Sequence, residues 1–387
     1  MTPPLHLRRI ACLGFTLVEI MVGMVVALLA LLVVMQVFGS FEGQKRMTTG
    51  TADVQTSGVL ALQSVVTETQ MAGYALSAFD IRVKTMTCTD MENRSEWDGD
   101  SYRDDRDDVS TAPVWVEDSK GGGSSDAITV RYGTTLTGGL ATKVDRNNYD
   151  GSSANLPVHS GVGCAAGDMA ILSNGGDYCE LLSVEDVDPD ATPRPLITFA
   201  ASEPASLFSS SLVNDNAYVM CIGSEFRQVT FEVDDATQTL MRNGEEVASN
   251  VVNMQIQYGI SDEPSTSRIT AWVDAIGNWE KLDLADGANR RGRIKAVRVA
   301  IVVRSPLKAR DPVSFACTQP DDPAGDGAST TGVCAWMDWL DPLNESGAKS
   351  AAPEIDLSGL ADWDQYRYRV FETIIPLRNI VWAKGGV

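Results

Sequence analysis

The sequence predicts an α+β protein, with one long N-terminal helix packed on a large antiparallel β-rich head. Three observations predict it. An almost uncharged apolar run extends from Phe15 to Phe41. A helical apolar pattern follows it to about residue 74. From there on, many short alternating runs are separated by turn residues, with no internal repeat.

The chain opens with a basic leader, residues 1–14, which carries Arg8 and Arg9 and no acid. Ile20 to Phe38 then holds no charge and one amide, Gln36. At about 1.5 Å per residue this stretch spans roughly 30 Å, the thickness of a bilayer core. The two arginines keep the leader cytoplasmic and send the rest outward. An ordinary secretory signal is cut after its apolar core. Here the cut that suits the leader falls after Gly14, ahead of the core, so the mature protein keeps the helix. One charge interrupts the apolar run, Glu19. A carboxylate in a membrane helix costs about 2.5–3.5 kcal/mol. The helix N-terminus and headgroups tolerate it there, but a charge so expensive is read here as having a partner. No proline occurs between Pro4 and Pro113, so nothing covalent kinks the helix.

Past the apolar run, Val54, Val59, Leu60, Leu62, Val65 and Val66 recur at roughly helical spacing. Ala72-Gly73-Tyr74 offers a stop. This stripe is the expected face for the head. The predicted organisation is a leader (1–14), a membrane-spanning helix (15–41), its amphipathic continuation (42–74) and the head (75–387). The head contains insertions near 92–123 and 311–353. Roughly 320 residues of head are enough for a large core.

Strands are predicted over Ala127–Tyr132, Met169–Leu172, Cys179–Val184, Ala217–Met220, Phe226–Val233, Thr239–Arg242, Val251–Tyr258, Lys295–Arg304 and Tyr366–Leu377. Asn243-Gly244 and Asp286-Gly287 are hairpin-turn candidates. Glu92 to Gly123 reads as a loop, acidic and then glycine-rich. Neither its carboxylates nor Asp186-Val-Asp-Pro-Asp190 fit an EF-hand loop. No cofactor is expected, with calcium kept as a candidate ligand of these acidic runs.

The formal net charge is −21, and losing the leader's two arginines takes it to about −23. Such a surface repels nucleic acid and anionic membrane. Asn289 to Lys295, with Arg298, is a local basic exception, read as a solvated turn entering a strand. Of the seven cysteines, Cys12 lies in the leader. The remaining Cys88, Cys164, Cys179, Cys221, Cys317 and Cys334 form an even set, as disulfides in an oxidising compartment require. Short spacing favours Cys164–Cys179 and Cys317–Cys334, leaving Cys88–Cys221.

Catalysis is not expected. Past the leader the chain has one histidine, His159, too few for a multi-histidine metal site. No G-x-S-x-G, H-E-x-x-H or G-x-x-x-x-G-K-[ST] stretch occurs. Trp336 and Trp339, with Met337 between them, are read as core, with an exposed anchor for a partner as the alternative.

The residues GFTLVE, Gly14 to Glu19, resemble the leader junction of type IV prepilins and type II secretion pseudopilins. Further on, Ala72-Gly73-Tyr74, Gly167–Leu172, Asn253–Gly259, Val297–Ser305 and Phe371–Asn379 resemble, in that order, the PilW family of type IV minor pilins. The resemblance implies a cut after Gly14 by prepilin peptidase, N-methylation of Phe15, and pairing of Glu19 with a neighbouring subunit's N-terminal amine. It implies residence in the inner membrane with the head in the periplasm, then in a pilus at the cell surface. The implied partners are the major pilin, other minor pilins and a large tip adhesin; the roles left open are adhesion, twitching motility and DNA uptake. Major pilins of this superfamily carry a proline where this chain has Gln36. A minor pseudopilin of a type II secretion system shares every N-terminal feature. A membrane-anchored binding module is the alternative from another class.

Overall fold

The computed structural model describes residues 16–76, 90–93, 112–121, 125–151, 154–174, 178–200, 213–280, 288–316, 332–336, 355 and 357–382. The leader, Gly14, Phe15, Cys88, Cys317, Met337, Trp339, the acidic run Trp97–Asp108 and Asp286-Gly287 lie outside these. The chain divides into two units, Met1–Ala52 and Asp53–Val387.

In chain order, helix α1 is Leu17–Gln70, followed by β1 (Asp90–Asn93), β2 (Val114–Gly121), β3 (Ser125–Gly133), β4 (Ala141–Lys143) and β5 (Asn155–Pro157). Then come β6 (Met169–Ser173), β7 (Tyr178–Asp188), β8 (Leu196–Phe199), β9 (Tyr218–Gly223), β10 (Phe226–Asp234), β11 (Thr239–Arg242) and β12 (Glu245–Ser249). The last elements are β13 (Val251–Ile260), β14 (Ala271–Val273), α2 (Ala288–Arg293), β15 (Ile294–Arg304), β16 (Tyr368–Pro376) and α3 (Arg378–Trp382). The strands form three sheets, and the α+β class is as predicted. Glu92–Gly123, expected as a loop, contains β2 and the end of β1: β2 pairs with β3, and its Val114 and Val116 enter the core. The polar Glu117–Gly121 half of β2 hid the strand.

The seven-stranded sheet runs β4-β9-β6-β7-β8-β5, with β1 beside β7. Only the β1–β7 pairing is parallel among those described in it. Both of its faces are covered. Leu156, Leu172, Leu182 and Phe199 fill one side. Ile171, Leu181, Met220 and Ile222 meet Ala75 and Leu76 on the other. Adjacent residues 171 and 172 serve opposite faces, as strand alternation requires.

The five-stranded sheet runs β12-β11-β10-β3-β2 and the four-stranded sheet β14-β13-β15-β16. Asn243 and Gly244 turn β11 into β12 with φ of 50° and 79°, the positive pair that a type I′ hairpin needs. The two sheets share one core with the second half of α1. Side chains of β3 join them. Ser125 Oγ accepts the Met254 N–H at 2.8 Å, and Asp126 Oδ2 accepts the Ile256 N–H at 2.7 Å. These are alternate donors of β13 that its partner β15 leaves unpaired, so β3 caps an otherwise open edge.

The expected pairing of Cys164 with Cys179 is overturned. Cys164 bonds Cys221, with Cα atoms 5.2 Å apart, which also excludes Cys88–Cys221. Sheet order explains it. Strand β6 leaves the Cys164 turn between β9 and β7, pairing Ala170 with Cys221 at its near end and Ser173 with Cys179 at its far end. Proximity in sequence therefore misled. Cys179 and Cys334 are also disulfide-bonded.

The basic cluster is corrected too. Arg291, Lys295 and Arg298 are 1%, 4% and 3% exposed, not solvated. Lys295 Nζ donates to the Pro264 carbonyl at 2.7 Å, Arg293 Nε to the Ser261 carbonyl at 2.8 Å, and Arg298 Nε to Gln257 Oε1 at 2.7 Å. The cluster ties the α2–β15 junction to neighbouring loops and to β13.

Candidate assembly site

Leu17–Gly39, 23 residues with mean hydropathy 2.9, is long and apolar enough to cross a membrane, and none of it is buried. It covers about 35 Å at helical rise. A helix meets its backbone hydrogen bonds internally, the condition for contact with lipid. A continuous exposed apolar surface of this size requires lipid or other helices around it.

Glu19 lies in the first turn of α1. Thr16 Oγ1 accepts the Glu19 N–H at 3.3 Å, and Glu19 Oε2 accepts the Thr16 N–H at 3.3 Å and its hydroxyl at 3.4 Å. This reciprocal arrangement is a capping box, which satisfies two donors that a helix N-terminus otherwise leaves open. The resemblance implies a neighbouring subunit's amine as partner of Glu19; the structure adds Thr16 of its own helix. The signal was present in the T-x-x-E spacing. Among the described residues Glu19 Oε1 accepts no hydrogen bond, so the carboxylate retains capacity for a second donor. Gly14 and Phe15, the predicted processing pair, lie outside the described residues.

The second half of the helix is built differently. Val54, Gly58, Ala61, Val65 and Thr69 are buried, at steps of three or four. Val59 and Leu60, expected on this face, are 56% and 50% exposed. The hydrophobic pattern misassigned the stripe because two of its members are small. Gly58 is small for a packing reason: a Cβ there would stand 2.0 Å from the Phe371 ring of β16.

Polar contacts fix the same face. Glu68 Oε1 accepts from Arg242 Nη2 of β11 at 2.5 Å, and its Oε2 accepts the Tyr132 hydroxyl of β3 at 2.6 Å. Burial, then the bond to the Glu68 carboxylate, pushes the Tyr132 phenol up. Arg369 of β16 reaches Gln55 at 3.3 Å. The helix ends as predicted near Ala72-Gly73-Tyr74. Gly73 has φ of 73° and donates its N–H to the Arg131 carbonyl at 2.9 Å. Asn379 Nδ2 caps the carbonyls of Met71 and Ala72 at 3.4 and 3.1 Å. Two widely separated sequence segments, Ala72–Tyr74 and Phe371–Asn379, thus meet at the helix terminus.

His159 is exposed on a turn. Among the described residues no group of three or more His, Cys, Asp or Glu is placed to hold a metal. Asp188 Oδ1 instead accepts the Asp190 N–H at 3.0 Å within its own turn. A cleft beside β10 is lined by Arg227 and Arg242, both already paired, with Glu225 and Glu68.

Residues 218–379 match the family model PilW, described as Type IV Pilus-assembly protein W. The match is under half of the chain, but it runs from β9 to the start of α3 and includes every strand of the four-stranded sheet. No curated protein and no solved structure matches the chain. Residues 218–379, which hold the whole four-stranded sheet, are thus similar to the PilW family of type IV pilus assembly, and the exposed apolar helix precedes them in the same chain.

Proposed function

We propose that the protein is a minor pilin that primes assembly of a type IV pilus and sits at its tip. The observation that carries this reading is the combination, in one chain, of the PilW match with a Glu19-bearing apolar helix that has no buried face. In this reading prepilin peptidase cuts after Gly14 and Phe15 is methylated. Glu19 keeps its own helix capped through Oε2 and offers Oε1 to the amine of a neighbour. Before assembly the helix anchors the protein in the inner membrane with the head in the periplasm. Its surface at assembly is the span, and its partners are the major pilin, other minor pilins and a tip adhesin. The role is structural, with no cofactor and no nucleic acid.

The tip location rests on size. A head of roughly 320 residues, repeated at every step of a thin helical fibre, would collide with its neighbours. At the end of the fibre it does not. The test is a pilus count by electron microscopy on a clean deletion strain, with the wild-type gene restored as control. Loss of surface pili, regained on complementation, is expected. Normal pili in the deletion strain would remove the priming role and favour a type II secretion pseudopilin.

A further inference from the structure

Strand β16 is the last strand of the four-stranded sheet, and its outer edge is open. Its register with β15 runs without a break from Arg304 opposite Tyr368 to Ala296 opposite Pro376. Bonds just beyond each end fix which groups face β15. Ser305 donates its N–H to the Arg367 carbonyl at 2.7 Å, and Leu377 donates to the Lys295 carbonyl at 2.9 Å. In an antiparallel pair, residues bonded in this way alternate with residues whose N–H and C=O point away. The odd-numbered positions of β16 therefore face β15, and Tyr368, Val370, Glu372 and Ile374 turn their backbone groups outward. Among the described residues nothing pairs with those outward groups. Pro376, which has no N–H, ends the open edge.

The second half of α1 borders this edge with an apolar flank. Arg369 reaches Gln55, the Phe371 ring stands over Gly58, and Asn379 meets Met71, so helix and strand run side by side in the same direction. Gln55, Val59, Leu62 and Val66 follow one another at steps of four, three and four, which places them on one flank of the helix. It is the flank that Gln55 turns towards Arg369. Glu68, on the other side of the buried face, meets β3 and β11 instead. Val59 is 56% exposed, and Leu62 and Val66 are only partly buried. On the opposite face of the sheet Ile374 is 54% exposed. A strand edge with open hydrogen-bonding groups and apolar neighbours is a template for one more strand.

We infer that β16 takes up an extended strand of another protein, which becomes the fifth strand of this sheet. The outward groups of Tyr368, Val370, Glu372 and Ile374 bond its main chain, and its alternate side chains pack beside Val59, Leu62 and Val66. The occupant is a different protein, not a second copy. Pairing β16 antiparallel with itself over its full length sets Glu372 opposite Glu372, and like charges so placed are destabilising. The formal charge of −21 on each copy adds repulsion. Arg369 indicates the charge of the occupant. It contacts Gln55 and the Phe371 ring and pairs with no carboxylate among the described residues, so an acidic residue opposite it is favourable. The partner strand is thus apolar at alternate positions and acidic at the end beside Arg369. The inference rests on this edge and its bordering helix alone, and holds whether the protein primes a pilus or serves a secretion system.

The test selects random twelve-residue peptides, displayed on phage, against the full-length protein in detergent. Enriched peptides are expected to alternate apolar residues and to carry an acid near one end. Binding of the synthetic peptide, read by fluorescence polarisation, falls roughly tenfold in Ile374→Pro, which removes one outward N–H and no bond to β15. It falls as far in Val59→Asp, which charges the helix flank. Ile374→Thr, which keeps the N–H, binds like wild type. N-methylation of one alternate set of peptide amides abolishes binding to the unaltered protein, and N-methylation of the other set does not. No enrichment, binding unchanged in Ile374→Pro, or equal effects of the two methylated sets would overturn the inference. So would a concentration-dependent dimer of the wild type that Ile374→Pro dissociates, which would give the edge to a second copy.

Discussion

The two halves of α1 obey opposite rules within one continuous helix. Across Leu17–Gly39 every side chain is exposed and most of the residues are large and apolar. Across residues 54–69 a single face is buried, and its members include Gly58, Ala61 and Thr69. Lipid or neighbouring helices accept any apolar side chain of about the right size. A sheet fixed by its own core does not, and dictates residue by residue what can face it. The first half is thus written for partners outside the chain and the second for a partner inside it.

That contrast breaks most sharply at Gly58. Gly58→Leu places a side chain where the Phe371 ring stands, and overpacking of this kind costs about 1–3 kcal/mol. Urea unfolding of the protein in detergent is expected to show a lower midpoint, whereas Gly23→Leu, at a glycine with open space around it, leaves the midpoint in place. A midpoint unchanged in Gly58→Leu would mean that the helix is not seated against β16.

Much of this was legible in the sequence, and what was not has identifiable causes. The span, the helix stop, the Asn243-Gly244 hairpin and the long strands were readable because each is local, fixed by hydrophobicity or by backbone conformation over a few residues. The seat of the helix was not, because Gly58 and Ala61 carry little hydrophobic signal and owe their place to Phe371, over three hundred positions away. The Cys164–Cys221 bond depends on strand order, which spacing does not encode. The buried Lys295 and Arg298 looked like a solvated turn because the Pro264 carbonyl and the Gln257 amide that hold them come from a loop and a strand distant in sequence. The Thr16–Glu19 capping box is local as well, and its T-x-x-E spacing is legible in the sequence.

A smaller effect tests the polar side of the seat. Glu68→Gln removes the charge that pairs with Arg242 and weakens the bond from Tyr132. Both partners are partly exposed, so screening limits the loss to about 1 kcal/mol. A double-mutant cycle with Arg242→Met measures the coupling, and a value of zero would assign the seat to apolar packing alone.

The smallest effect concerns acid. Bonds from Asn148, Arg194 and the Asn147 N–H hold the Asp145 carboxyl below its ordinary value of 3.8. Thr237 and the Ala236 N–H do the same for Asp234. A depressed folded value means that the stabilisation is present above the unfolded value and lost as pH falls through the folded one. Melting temperature is therefore expected to fall below about pH 4, and less steeply in Asp145→Asn than in wild type. Identical pH profiles would remove Asp145 from the account. Neither carboxylate lies in the helix, so this loss belongs to the head alone.

The most direct test of the division between the halves is Glu19→Ala, assayed in parallel for pilus restoration in the deletion strain and for thermal unfolding of the purified protein. The account predicts that surface pili are not restored while the melting temperature of the head stays at the wild-type value. Full restoration of pili by Glu19→Ala would contradict it, and so would a head that melts early.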